Sequence, residues 1–202
     1  MVRREVKPGD RNVYVARMVK DNERGHYERF LENVGRRLGQ IATTTEVEES
    51  HVTFLANPSR IKQALRVNGY APEDVYQRGY DMQMYLDGRR PRSITQALIN
   101  WEDPLVWLGS ARNKLSLRVV PDSSLLEQRA HVEDFLRQRF GEVPALHAFV
   151  PHIAIASVDR QEISPDMRAL PELLLDGIHI PQAVALQGLR VYLDNLDCAV
   201  SE

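Results

Sequence analysis

The chain alternates short β-branched runs with stretches whose apolar residues recur at helical spacing. Asn12 to Val19 (NVYVARMV) predicts a strand. Asp21 or Asn22 can cap a following helix in which Tyr27, Phe30, Leu31, Val34 and Leu38 share one side, and Gly39 suits its end. A threonine- and glutamate-rich connection from Thr43 to Ser50 leads to a second strand, His51 to Ala56. Asn57-Pro58-Ser59 ends that strand and opens a helix with Ile61, Ala64, Leu65 and Val67. Between Asn68 and Asp103 the period is weaker; it reads as helical, above all from Ser93 to Trp101.

The pattern resumes after Pro104. Leu105 to Leu108 and Leu115 to Val120 read as strands around a turn at Ser110 to Asn113. Pro121-Asp122-Ser123-Ser124 opens a helix with Leu126, Ala130, Val132, Phe135, Leu136 and Phe140 on its apolar side, closed by Gly141. Phe149 to Ala156 is another strand, with Pro151 tolerated near its start. Glu162 to Asp176 reads as a loop with a helical piece, and Ala183 to Leu193 as a final strand. The order strand, helix, histidine-bearing strand thus occurs twice, before residue 57 and again between 115 and 157. Such a duplication sets two equivalent histidines across an approximate two-fold axis.

Composition narrows the class. The 202 residues are 43% hydrophobic and 27% charged, enough to bury a core. With 26 basic and 28 acidic residues there is no global field to recruit nucleic acid. A single cysteine, Cys198, excludes an internal disulfide and a multi-cysteine zinc site. No apolar run approaches the ~20 residues that span a bilayer. Met1 to Pro8 lacks the apolar stretch of a secretory signal, and residues 1–11 read as a polar leader. The expectation is a cytoplasmic protein, away from membranes and monomeric, with no inferable protein partner.

Of six histidines, His51 and His152 differ from His26, His131, His147 and His179 in heading strands of alternating pattern. A side-chain period of two puts His51 and Thr53 on one face, opposite Val52 and Phe54. It likewise puts His152 and Ala154 together, opposite Ile153 and Ile155. Two imidazoles titrating near pH ~6.5 can divide into a neutral base and a charged acid. Acting on a phosphodiester, one takes a proton from the nucleophile and the other gives one to the departing oxygen. A threonine hydroxyl two residues on can hold a non-bridging oxygen.

The segments His51-Val52-Thr53-Phe54 and His152-Ile153-Ala154-Ile155, 101 positions apart, resemble the paired H-x-T/S-x signatures of the two-histidine phosphoesterase superfamily. That group includes bacterial 2′-5′ RNA ligase-like proteins and 2′,3′-cyclic nucleotide phosphodiesterases. Phe149 to Ala156 is especially similar to the context of the second signature, and the likeness in element order covers residues 12–196. The resemblance implies an α+β fold in a single bilobal domain, with two antiparallel sheets flanking a central cleft and helices outside. Lobe one would run from 12 to 103, with 68–103 as a helical elaboration, and lobe two from 104 to 196. It implies metal-independent chemistry without a cofactor on an RNA end or small nucleotide, at a 2′,3′-cyclic phosphate or a 2′-5′ linkage.

Ala154 departs from the signature, because it stands where the family has Thr or Ser and supplies no hydrogen bond. Ser157 has odd spacing from His152 and points to the other face unless a bulge intervenes. Arg118, on the strand face of Ser116, and Arg17 are candidates to fill the gap. Tyr14 and Tyr192 are core-edge aromatics or base-stacking platforms. Trp101 and Trp107 read as packing anchors, and Arg89, Arg90 and Arg92 as a solvated face or an RNA-end clamp. His26, His131, His147 and His179 read as structural or surface residues, His147 lying nearest the second signature. The alternative is a non-catalytic RNA- or nucleotide-binding module with the same cleft, motivated by Ala154.

Overall fold

The computed structural model describes residues 13–20, 25–56, 75–89, 96–108, 113–140, 149–158, 171, 176–193 and 196–197. The polar leader, the helix expected at 61–67, the turn at 110–112, Arg90, Arg92, His147, most of 162–176 and Cys198 lie outside them, as does the side chain of Arg89.

Three helices are described: α1 (His26–Leu38), α2 (Val75–Arg89) and α3 (Ser123–Phe140). In α1 the expected apolar stripe, Tyr27, Phe30, Leu31, Val34 and Leu38, is buried. Its N-cap is Gly25, in left-handed backbone at φ 58° with no side-chain cap, rather than Asp21 or Asn22. Asp122 caps α3, its Oδ1 accepting the Leu125 N–H at 2.8 Å. The buried face of α3 is Leu125, Gln128, Arg129, Val132, Phe135 and Leu136. Leu126 and Ala130, expected inside, are exposed. Two polar residues complete the stripe's helical spacing, and that hid its register from the hydrophobic pattern.

Among the described residues the strands are β1 (Val13–Val19), β2 (Thr43–Thr44), β3 (His51–Ala56), β4 (Gln96–Leu98), β5 (Leu105–Leu108), β6 (Lys114–Arg118), β7 (His152–Ser157), β8 (Ala183–Leu193) and β9 (Leu196–Asp197). Their order is β4-β8-β1-β3-β7-β6-β5, with β2 beside β7 and β9 beside β8. The recorded pairings are antiparallel, so the class is α+β. Where two flanking sheets were expected, the strands meet along β3 and β7 in one hydrogen-bonded order.

Within the span expected as a helix, Ser93 to Trp101, residues Gln96–Leu98 form β4. Ala97 is buried there between exposed Gln96 and Leu98, and the strand pairs with β8 through Ala97↔Val184. Ile99 continues this edge as an isolated bridge to Val119. The strand expected from Phe149 begins at His152 instead. Trp107 packs against the core as expected, whereas Trp101 is exposed.

One apolar cluster joins strands of both halves, including Val52, Phe54, Leu117, Ile153 and Val191, with Leu31 of α1 and Phe135 of α3. Arg17 is buried across this core and donates from Nε to Gln128 Oε1 at 2.8 Å and from Nη1 to the Gln187 carbonyl at 2.7 Å. Arg129 donates to the Phe54 carbonyl and pairs with Glu133, tying α3 to β3. Both sets of buried polar bonds tie α3 to the sheet from the core side, Arg17 through β1 and Arg129 through β3.

Candidate active site

β3 and β7 abut antiparallel with Val52 opposite Ile153, both fully buried on the core side. From that pair the antiparallel register runs His51 toward Ala154 and Thr53 toward His152. The two signatures therefore meet head to tail about a local two-fold, their histidines on the face away from the core.

Each imidazole is held in the same way. His51 Nδ1 lies 2.7 Å from the Glu49 carbonyl, and His152 Nδ1 lies 2.8 Å from the Val150 carbonyl. A carbonyl only accepts, so Nδ1 carries the proton in both rings. Each Nε2 is thereby left as the position for proton exchange. Burial pushes the His51 pKa below the ordinary histidine value. The Glu49 carbonyl and carboxylate oppose that shift, and Lys114 and His152 add to it.

A cavity of about 410 Å³ opens beside His51, with Tyr14, Lys114, Ala154, Ser157 and Tyr192 in its wall. Glu48 and Glu49 also line it. His152 and Thr53 lie on the same sheet face, outside this wall. Tyr14 stacks on Tyr192 at 5.1 Å between ring centroids and tilts against the His51 ring at 5.5 Å. The two tyrosines come together because β1 and β8 pair through Tyr14↔Tyr192.

Arg118 sits across from His152 and is bound to Asp103 at 3.1 Å. Arg17 belongs to the buried network with Gln128 and Gln187, so it is not the cation that fills the place left by Ala154. The odd spacing of Ser157 proves compatible with the site. Leu115 pairs with Ala156 and Ser116 with Ala154, a register shift that leaves Ile155 unmatched and turns Ser157 back to the cavity.

Sequence reasoning missed Lys114, although Lys114, Ser116 and Arg118 alternate along one strand and so share a face. It also placed no weight on Glu48 and Glu49. Of the remaining histidines, His26 and His179 are exposed and share a second cavity with Lys20 and Arg29, while His131 is half-buried on α3. Among the described residues there is no cluster of three or more histidine, cysteine or carboxylate side chains able to hold a metal. No described helix is long and apolar enough to cross a membrane.

No protein-family model matches the chain, and no curated protein matches it. Its likeness is to solved structures. One is a phosphoesterase, at 11% identity over 91% of this chain and 88% of the other, with a TM-score of 0.47. Another is Escherichia coli LigT complexed with ATP, at 14% identity, 91% and 86% coverage and a TM-score of 0.47. A third is TT0787 of Thermus thermophilus, at 13% identity, 89% and 86% coverage and the same TM-score.

Proposed function

We propose that the protein is a metal-independent phosphodiesterase acting on RNA ends or small nucleotides through His51 and His152. The observation that carries this reading is the matched pair of Nδ1-to-carbonyl bonds on abutting strands, which fixes two Nε2 atoms for proton transfer on one sheet face. Burial favours the neutral form of His51, which we assign as the general base. His152 takes the complementary role of acid.

For a 2′,3′-cyclic phosphate the steps balance without a further reactant. Water gives a proton to His51 Nε2 as its oxygen bonds to phosphorus. The bond from phosphorus to one ribose oxygen breaks, and that oxygen takes the proton from His152 Nε2. Proton exchange with solvent then resets the pair. Thr53 donates its hydroxyl to a non-bridging oxygen. The stacked pair Tyr14 and Tyr192 offers an aromatic face to a base. Arg118, opposite His152 and paired with Asp103, is placed to contact a phosphate oxygen at the acid's end.

The absent hydroxyl at Ala154 favours a second reading, a nucleotide-binding module with little turnover. The two are separated by incubating the protein, in EDTA, with a 2′,3′-cyclic nucleotide and with a 2′-5′-linked dinucleotide. The enzyme reading expects cleavage of one of them. Nucleotide binding without cleavage of either would favour the module, and absence of both would overturn the two readings together.

A further inference from the structure

We propose that Ser157 and Lys114 form the phosphate-binding subsite of the second half of the site, in place of the hydroxyl that Ala154 lacks. The inference rests on the phosphoesterase reading and assigns the residues that grip its substrate.

The backbone of β7 carries the argument. β6 and β7 keep register from Arg118↔His152 to Ser116↔Ala154, then resume at Leu115↔Ala156 and Lys114↔Ser157. Ile155 is the extra residue of a bulge, and Ile155 and Ala156 are both buried in succession. The alternation is thereby reversed, so the half-buried positions are His152, Ala154 and then Ser157. β2 holds this geometry from the other side through Thr43↔Ser157 and Thr44↔Ala156, and the Thr45 N–H donates to the Ile155 carbonyl at 2.9 Å.

Ser157 and Lys114 are direct cross-strand partners, with Cβ atoms about 5 Å apart in such pairs. Both line the cavity that His51 and Ala154 line. Together they offer one hydroxyl donor and one ammonium with three, the chemistry of a phosphoryl oxygen site. Glu48 and Glu49 line the same cavity, so an anion is excluded from their side and held at the Lys114 wall, with no room for a second phosphate's charge. A substrate with a single phosphodiester fits this charge pattern. Ser116, beside Ala154, is different: its hydroxyl is fully buried and has no partner, closed off from a ligand.

The test pairs two readouts on folded protein, inorganic phosphate affinity by titration and kcat/KM on a 2′,3′-cyclic nucleotide. Ser157→Ala should lower kcat/KM by about 100-fold, the loss typical of one transition-state donor. Adding Ala154→Thr to that variant should restore most of it. Ser157→Thr, which keeps the hydroxyl, distinguishes a lost donor from a folding defect, and Ser116→Ala is the neutral control. Lys114→Gln should weaken phosphate binding, by a factor that shrinks as salt rises. Phosphate binding lost in Ser157→Ala and Lys114→Gln, in a protein that turns over no nucleotide, would sink the phosphoesterase reading and keep the subsite. Histidine-dependent turnover with phosphate affinity and kcat/KM unchanged in both variants would do the reverse. A wild type that binds no phosphate overturns the subsite.

Discussion

At the scale of the residue, the proposed site depends on how two imidazoles are held and charged. Burial lowers His51 below the ordinary ~6.5, so between that value and its lowered pKa the unfolded chain binds a proton that the native one refuses. Stability should therefore fall as acid carries the protein down through that window, and denaturant melts from pH 7.5 to 5 check the sign. The acid limb of kcat/KM should likewise lie below pH ~6.5. Lys114 and His152 push His51 down while Glu49 pulls it up, so Lys114→Gln should move that limb to higher pH. A limb that stays in place would remove Lys114 from the neighbourhood of the base. Ser116→Ala removes a buried hydroxyl without a partner and should leave the melting midpoint unchanged or raise it. The shared face of His51, Thr53 and His152 was legible because strand alternation assigns faces residue by residue. The carbonyls of Glu49 and Val150 were not, since a backbone partner leaves no mark on side-chain pattern.

At the scale of the element, secondary structure was legible where packing follows apolar periodicity and obscure where polar groups complete a buried face. In α3, Leu125 is fully buried and Leu126 is 48% exposed, the reverse of the expectation. Leu125→Ala should cost about 2–5 kcal/mol in a denaturant melt, and Leu126→Ala less than about 0.5 kcal/mol. Equal effects would contradict the helix register. Gln128 and Arg129 hid that register because they bond to Arg17 and Phe54, contacts that hydrophobicity does not encode. The edge strand β4 was misread as helix for a related reason. Its three residues are defined by pairing with β8, far along the chain, and local propensity is silent on such pairing. The bulge in β7 belongs to the same class of event: one unmatched residue changes which side chains meet the cavity.

At the scale of the molecule, the order of strand, helix and histidine-bearing strand occurs twice, and the two histidine-bearing strands pair with each other. β3 lies against β7, and the fully buried pair Val52 and Ile153 sits beneath the histidine face. Loosening this seam should damage both roles together. Ile153→Ala should destabilise the fold by about 2–5 kcal/mol and depress turnover more than melting loss explains, because His152 is its chain neighbour. The order of elements made the duplication readable in advance, whereas the joining of the strands into one hydrogen-bonded order was not, since it depends on contacts between residues far apart in the chain. The central claim is that the two histidines act as one acid-base pair, and it is tested most directly by turnover of a 2′,3′-cyclic nucleotide in EDTA by wild type, His51→Ala and His152→Ala. The account predicts that each variant keeps the wild-type circular dichroism spectrum and loses at least about 100-fold in kcat. Either variant turning over at the wild-type rate would contradict it.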